Sequence, residues 1–447
     1  MNSRDSSFFD SSMQIEQRKS VQPLLKEGPD ASSSNIGKII YFSIPFAVLF
    51  TAFNAFQGLL VQTYNEIGYP FMGELTLLAQ YVVTLVALFI SPTVVKGWSY
   101  RFGYTFSSLG FISPMITVAT VTSCISDPDY FWCSGRVMTY LSNLASGVSI
   151  GISAPCFWLS SNRCINSLTN EDNKGKYFGI FFSFISAAQI FGNILSYFVI
   201  QRYGKTVFFI VCGGFGVATL ILLFFSTPGP KYHEEWAKEE TVVKAKRIVG
   251  LAFNTKMKHL LPMIFFISLV FTLSNSFQYN TITNSLADGL NSQQDYMPVI
   301  IFILQGFVGV LASYLGGKKL DRTPEKEKLL NFSNYVFDLA VIFSLLAYFI
   351  GSFGLAYIMG SLWGIGIASS FAMIYAIVAK EFDATIEIFA VVQITIVAGS
   401  FVGAIIGTYM QNQIPGAIFI VMLFLGASQI STRFFRVRQE IKVKDEL

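Results

Sequence analysis

Positive charge is distributed along this chain with a strong asymmetry. Twelve apolar stretches can be marked between Lys38 and Arg433, at about 38–63, 72–95, 103–124, 137–160, 176–200, 206–227, 259–281, 296–316, 329–350, 354–379, 385–408 and 414–434. Each runs roughly 20 residues or more, enough to cross about 30 Å of hydrocarbon at about 1.5 Å per residue. If all twelve cross a bilayer from a cytosolic N-terminus, only Arg136, Arg202 and Lys205 of the 31 Lys and Arg fall on the far side. Lysine and arginine are retained on the cytosolic side of a membrane. The asymmetry therefore predicts twelve spans with both termini in the cytosol.

The remaining composition narrows the function. Charged residues make up 13% of the chain, about half the share of an ordinary soluble domain. The net charge of +4 is accounted for by topology, which leaves no patch for nucleic acid. His233 and His259 lie in the central segment away from any cysteine cluster. No metal-ligand set, phosphate loop or nucleophile elbow is present. The expectation is a non-enzyme, with no catalytic residues, metal or cofactor.

The predicted fold is an all-α membrane protein of twelve transmembrane helices in two six-helix halves. Residues 1–37 are polar and Ser-rich and cannot bury enough surface to fold, so they read as a disordered cytosolic tail. No apolar segment precedes Lys38, so no cleaved leader is expected. Residues 38–227 form the first bundle, 228–258 a cytosolic linker, 259–434 the second bundle and 435–447 a cytosolic tail. The linker's apolar positions Trp236, Val242, Val243, Ile248 and Val249 suit an interfacial amphipathic helix or a solvated connection. Cys124 and Cys133 share a short loop on the non-cytosolic side, where a disulfide can form. Cys156, Cys164 and Cys212 read as packing residues.

The halves repeat one another. Gly147, Gly151 and Trp158 of the fourth span recur as Gly364, Ala368 and Tyr375 of the tenth at the same spacing. Phe178, Gly179 and Gly192 of the fifth recur as Phe389, Ala390 and Gly403 of the eleventh. Small residues let helices approach closely in lipid. Parallel six-span repeats characterise the major facilitator architecture. The loop Gly317-Lys318-Lys319-Leu320-Asp321-Arg322 resembles the Gly-x-x-x-Asp-Arg signature of the major facilitator superfamily. That resemblance implies a conformational gate of Gly317, Asp321 and Arg322, with Asp321 near a helix N-terminus of the other half. The first-half loop, Gly97 to Gly103, lacks the acid and offers Arg101 instead.

A narrower resemblance rests on three stretches. These are Ala52-Phe53-Asn54-Ala55-Phe56-Gln57-Gly58-Leu59-Leu60 in the first span, Gly147 to Trp158 in the fourth, and in the fifth Gly175-Lys176-Tyr177-Phe178-Gly179-Ile180-Phe181-Phe182 together with Ala188-Gln189-Ile190-Phe191-Gly192-Asn193. They look like the UNC-93 family, with a looser match at Leu362-Trp363-Gly364-Ile365-Gly366. The chain departs from that pattern at Ile367, where an acid is common, and at Ser160-Ser161. The resemblance implies either a transporter or a non-transporting partner of another membrane protein, such as a potassium channel or a receptor. Fold alone does not choose between them.

Polar residues inside spans are costly and mark sites or helix contacts. Asn54 and Gln57 share a face of the first span, Ser149 and Ser153 a face of the fourth, and Gln189 and Asn193 a face of the fifth. Asn275 and Gln278 repeat the first-span spacing in the seventh. With Trp158, these residues would line a polar, uncharged central cavity suited to a small neutral or zwitterionic solute; the alternative is that the amides bind neighbouring helices as static contacts. Asp338 is the deepest ionisable residue and a candidate for a proton relay. The abundance of Phe, 45 residues, keeps the regulator reading open, because an aromatic-filled interior would leave little room for a solute. Membrane lipid and either a solute or a membrane-protein partner are thus the expected contacts.

Two address signals are present. Lys444-Asp445-Glu446-Leu447 matches an ER-retrieval signal that is read in the lumen, whereas the expected topology places it in the cytosol. Ser20 to Leu25 resembles a dileucine sorting signal completed by phosphorylation of Ser20. The expected location is the plasma membrane or an endolysosomal or vacuolar membrane.

Overall fold

The computed structural model describes residues 31–69, 71–126, 136–226, 241–254, 257–286, 297–324, 326–382, 385–410 and 413–445. The loop holding Cys133 and the Cys124 side chain lie outside the described residues, as do Trp236, the Ser20–Leu25 signal and the C-terminal residues 446–447. The chain falls into two units, Met1–Lys38 and Ile39–Leu447. Of the first, residues 31–38 are the opening turns of a helix, where Lys38 donates to Asn35 Oδ1 at 3.2 Å. Everything below concerns the second.

Every regular element described is helical. The first four are α1 (Ala31–Glu66), α2 (Met72–Lys96), α3 (Tyr100–Ser126) and α4 (Arg136–Ser167). Lys174–Ser226 is continuous but breaks at Gly204, where φ is 80° and ψ is 174°. That backbone is open to glycine and costly for residues with a Cβ. The two sides are named α5 (174–203) and α6 (205–226). Then come α7 (Thr241–Ala252), α8 (Met257–Leu286), α9 (Met297–Arg322) and α10 (Lys326–Ile350). The last three are α11 (Phe353–Glu381), α12 (Ile386–Met410) and α13 (Ile414–Asp445).

Eleven described helices are long and apolar enough to cross a membrane, where the sequence shows twelve apolar stretches. The difference lies in one 52-residue helix, Lys174–Phe225. At about 1.5 Å per residue it exceeds twice the hydrocarbon thickness, and each side of Gly204 is long enough for a pass of its own.

The repeat seen in sequence reappears as repeated contacts. Gly192 of α5 meets the backbone of Thr51 in α1, where a Cβ would lie 2.6 Å from the carbonyl oxygen. Its counterpart Gly403 of α12 meets Leu269 of α8 at the same 2.6 Å. Likewise α4 packs on α2, and α11 packs on α9. Further contacts cross between the early and late helices: the α5–α6 stretch packs against α9 and α11, and α12 packs against α2 and α4. The helix expected in the linker is α7, with Ile248 buried and Val243 and Val249 exposed.

Candidate functional site

Four connections gather at one end of the bundle: α2 to α3, α4 to α5, α9 to α10 and α11 to α12. Asp321, at the end of α9, is the hub. The N–H of Gly175 donates to its Oδ1 at 2.8 Å, and the N–H of Lys176 donates to its Oδ2 at 2.6 Å. Its carboxylate thus caps the first turn of α5, where orphan N–H groups and the helix dipole favour an anion. Lys380 Nζ lies 2.6 Å from Oδ1, and both side chains are under a tenth exposed, 8% for Asp321 and 9% for Lys380. Lys174 donates to the Ala379 carbonyl at 2.7 Å. Across the second seam, Lys96 of α2 pairs with the buried Glu387 of α12 at 2.6 Å. The seams carry opposite polarity. At α5 the acid comes from the facing helix; at α12 the first turn supplies its own acid and α2 supplies the base.

This layer closes only because two backbones touch. A Cβ on Gly317 would lie 3.0 Å from Gly179 Cα and closer still to the Gly175 carbonyl. Glycine is required there by proximity.

Directly inside lies an aromatic layer. Tyr375 of α11 stacks on Phe182 at 5.3 Å and Phe178 at 6.2 Å, both from α5, and on Phe389 of α12 at 6.4 Å. Gln393 of α12 donates its amide to the Tyr375 hydroxyl. Phe181 and Phe182, 5.5 Å apart, carry the layer into the cluster of Phe42, Phe46, Phe157 and Trp158. Charged groups outside and stacked rings inside form a two-layer barrier between the early and late helices.

The polar residues marked from sequence divide into several groups. On α5, Ser186 and Ile190 meet Gly309 and Gly306 of α9, and Gly192 meets α1. Phe191 and Phe198 are 60% and 65% exposed. Gln189 and Asn193 lie two residues to either side of Phe191, about 200° away around the helix. They therefore occupy the arc opposite the exposed rings, between α1 and α9. Asn193 donates to the Gln189 carbonyl at 2.8 Å. On α1, Phe53 packs on Phe111 of α3, Phe56 on Phe209 of α6 and Phe50 on Trp158 of α4. Asn54 and Gln57, both half-buried, fall on the arc between the α4 and α5 contacts. Half-buried Trp158, resting on Phe50 and Phe181, floors this region.

Several expected site residues sit elsewhere. Ser153 and the Ser149 carbonyl press on Gly110 of α3, so these serines belong to the α3–α4 interface. Gln278 is buried in α8 beside the Phe277–Trp363 contact, and its amide has no hydrogen-bond partner among the described residues. The Asn275 side chain lies outside the described residues. Asp338 accepts from Gln429 of α13, a rung between α10 and α13 remote from the central arc. Arg101 and Arg322 are exposed, Arg101 with its guanidinium 5.7 Å from the Phe224 ring. Of the four expected gate residues, only Gly317 and Asp321 stand in the barrier.

Reading the sequence missed Lys96, Lys174, Lys380 and Gln393, and marked Gly175 only as part of a family-like stretch. The signal is available in part: Lys96, Lys174 and Lys380 flank apolar stretches as charges that mark topology, but nothing in their spacing pairs Lys96 with Glu387 or Lys380 with Asp321.

A helical bundle of this length, with a repeated set of contacts and a barrier between its halves, defines a multi-pass membrane protein of transporter type. The chain belongs to the Major Facilitator Superfamily, whose family model matches residues 43–404. Among solved structures it is similar to a bacterial homologue of the iron transporter ferroportin in an outward-facing state, at a TM-score of 0.66 and 12% identity, covering 90% of this chain and 99% of that one. It is also similar to the E. coli fucose:proton symporter FucP, at 0.62 and 14% over 90% and 98%. A third likeness is to the human organic anion transporter MFSD10, at 0.60 and 13% over 92% and 100%. At these identities the likeness is one of fold. In sequence the chain is 25% identical over 169 residues to the UNC93-like protein MFSD11 of Xenopus tropicalis, a match that covers 37% of this chain and 34% of that protein. The chain thus spans about a third of that relative, and the match supports the UNC-93 resemblance. The family and fold are those of membrane transporters, which are typically not enzymes.

Proposed function

We propose that this chain is an UNC-93-like transporter of twelve spans, counting α5 and α6 separately, that moves a small neutral or zwitterionic solute by alternating access. Its four clustered connections face the cytosol, as the charge asymmetry requires, and its membrane is the plasma membrane or an endolysosomal or vacuolar one. The observation that carries this reading is the barrier. Asp321, paired with Lys380 within its own half, caps the α5 N-terminus of the other half, and Lys96 pairs with Glu387 across the second seam, so a small set of charged contacts joins the halves. Contacts of this kind separate and regain water when the end opens, which suits a switching element. With the cytosolic end closed, the arc of Asn54, Gln57, Gln189 and Asn193 faces the other compartment. The likeness to an outward-facing structure supports that assignment. Amides offer donors and acceptors without net charge, hence the solute class.

The regulator reading draws on the aromatic packing that fills one end. Uptake into proteoliposomes separates the two. A labelled panel of monosaccharides and zwitterionic amino acids is expected to contain at least one saturable substrate. Asn54→Leu and Gln189→Leu should each lower its uptake by roughly tenfold or more, as loss of a buried polar contact does. No saturable uptake across the panel, with folded protein in the vesicles, would favour the regulator.

A further inference from the structure

A cavity of about 120 Å³ lies outside the central arc, where α7 meets α2, α8 and α12. Its walls are mostly apolar: Phe89 of α2, Ile248 and Ala252 of α7, Leu261 of α8, and Val391 and Ile394 of α12, with Thr395, whose hydroxyl donates to the Val391 carbonyl, the one polar side chain. Val249 also lines it and is 46% exposed, so the cavity reaches the surface along α7. Immediately before these residues on α7, Lys246 and Arg247 are exposed, and Lys258 is exposed at the start of α8. An apolar slot bordered by cations at the end of a membrane bundle is complementary to one kind of molecule, an acidic amphiphile. A free anion would have no use for the slot, and a zwitterionic lipid would gain little from the cations.

We propose that this seam binds one anionic phospholipid, with the first methylenes of an acyl chain in the cavity, the rest of the chain running out along exposed Val249, and its phosphate near Lys246 and Lys258. Phe89 lies two helical turns from Lys96, and Val391 one turn from Glu387. The lipid would therefore sit behind the α2–α12 ion pair and span both halves through α7. Resting on the transport reading, its presence would favour the closed cytosolic end, because the seam that holds it exists only when α2 and α12 are together.

The test uses the full-length protein, purified and delipidated, then analysed by native mass spectrometry with phosphatidylglycerol, phosphatidylcholine or soluble glycerol 3-phosphate. One phosphatidylglycerol should be retained with at least roughly tenfold preference over phosphatidylcholine, given about a factor of five per nearby cation. Lys246→Glu with Lys258→Glu should remove that preference. Ala252→Phe, which fills the slot, should lower retention of both lipids. Equal retention of the two lipids, unchanged retention in the variants, or displacement by glycerol 3-phosphate would each overturn the site. Surface charge reversal leaves the packed core intact, so the first variant reports on binding even if Ala252→Phe fails to fold. Lipid retention does not depend on uptake, so this site and the transport reading can fail separately.

Discussion

Asp321→Ala is expected to shift the protein toward a state open at the cytosolic end. The substitution leaves Lys380 in a buried position without its counter-ion and returns two N–H groups of α5 to an unpaired state. Removing one partner of a buried pair costs about 3–5 kcal/mol, because the remaining charge stays desolvated. That cost falls on the closed arrangement alone, since Lys380 regains water when the halves part. The closed-to-open ratio should fall roughly 100-fold or more, as each 1.4 kcal/mol is about a factor of ten. Asp321→Asn keeps an acceptor for α5 but loses the charge, so its shift should be smaller. Spin-label distances between Ser99 and Lys319, both exposed near this end, provide the measurement. An unchanged distance distribution in both variants would remove Asp321 from the gate.

Gly317→Leu should have a larger effect. Here no interaction is lost; an approach is blocked. A Cβ at this position already lies 3.0 Å from Gly179 Cα, and the obstructing atoms are backbone, which cannot rotate aside. Overpacking of a tight contact costs typically about 1–3 kcal/mol when side chains can yield, and more when they cannot. Within the late helices Gly317 faces outward to α5, so those helices should still fold. The closed state should then be unreachable, and a cysteine at Tyr375 should react with a water-soluble thiol reagent from the cytosolic side. Protection of that cysteine equal to that in a Gly317 background would show that α5 and α9 can close without the glycine contact.

Much of the architecture was legible because membrane spans obey simple constraints of length, polarity and flanking charge. The boundary between α5 and α6 was legible too: Arg202, Gly204 and Lys205 interrupt the apolar run, and Gly204 adopts the positive φ that breaks the helix. The in-register glycines gave the repeat, since Gly192 and Gly403 each bring one backbone against another. Site residues were harder. Four-residue spacing places Ser149 and Ser153 on a face without saying which neighbour that face meets, and here it meets Gly110. The barrier was least visible, because Lys96 and Glu387, or Asp321 and Lys380, are far apart in sequence and each looks like an ordinary flanking charge. Only Asp321 stood within a recognisable loop pattern. The aromatic layer was half legible: Tyr375, Phe178 and Phe389 were marked as repeat positions, yet spacing could not show that they stack across the halves.

The central claim is that the cytosolic barrier opens and closes in exchange with the opposite end. Its most direct test is a pair of distance measurements on the wild-type protein in lipid nanodiscs. One pair of spin labels, at Ser99 and Lys319, reports the cytosolic end; the other, at the exposed Phe71 and Tyr409, reports the far end. The account predicts two populations at each pair, one of them short at the cytosolic end and long at the far end, with Asp321→Ala moving both pairs in opposite directions. A single fixed distance at both ends, unaltered by that substitution, would contradict alternating access and leave a rigid scaffold in its place.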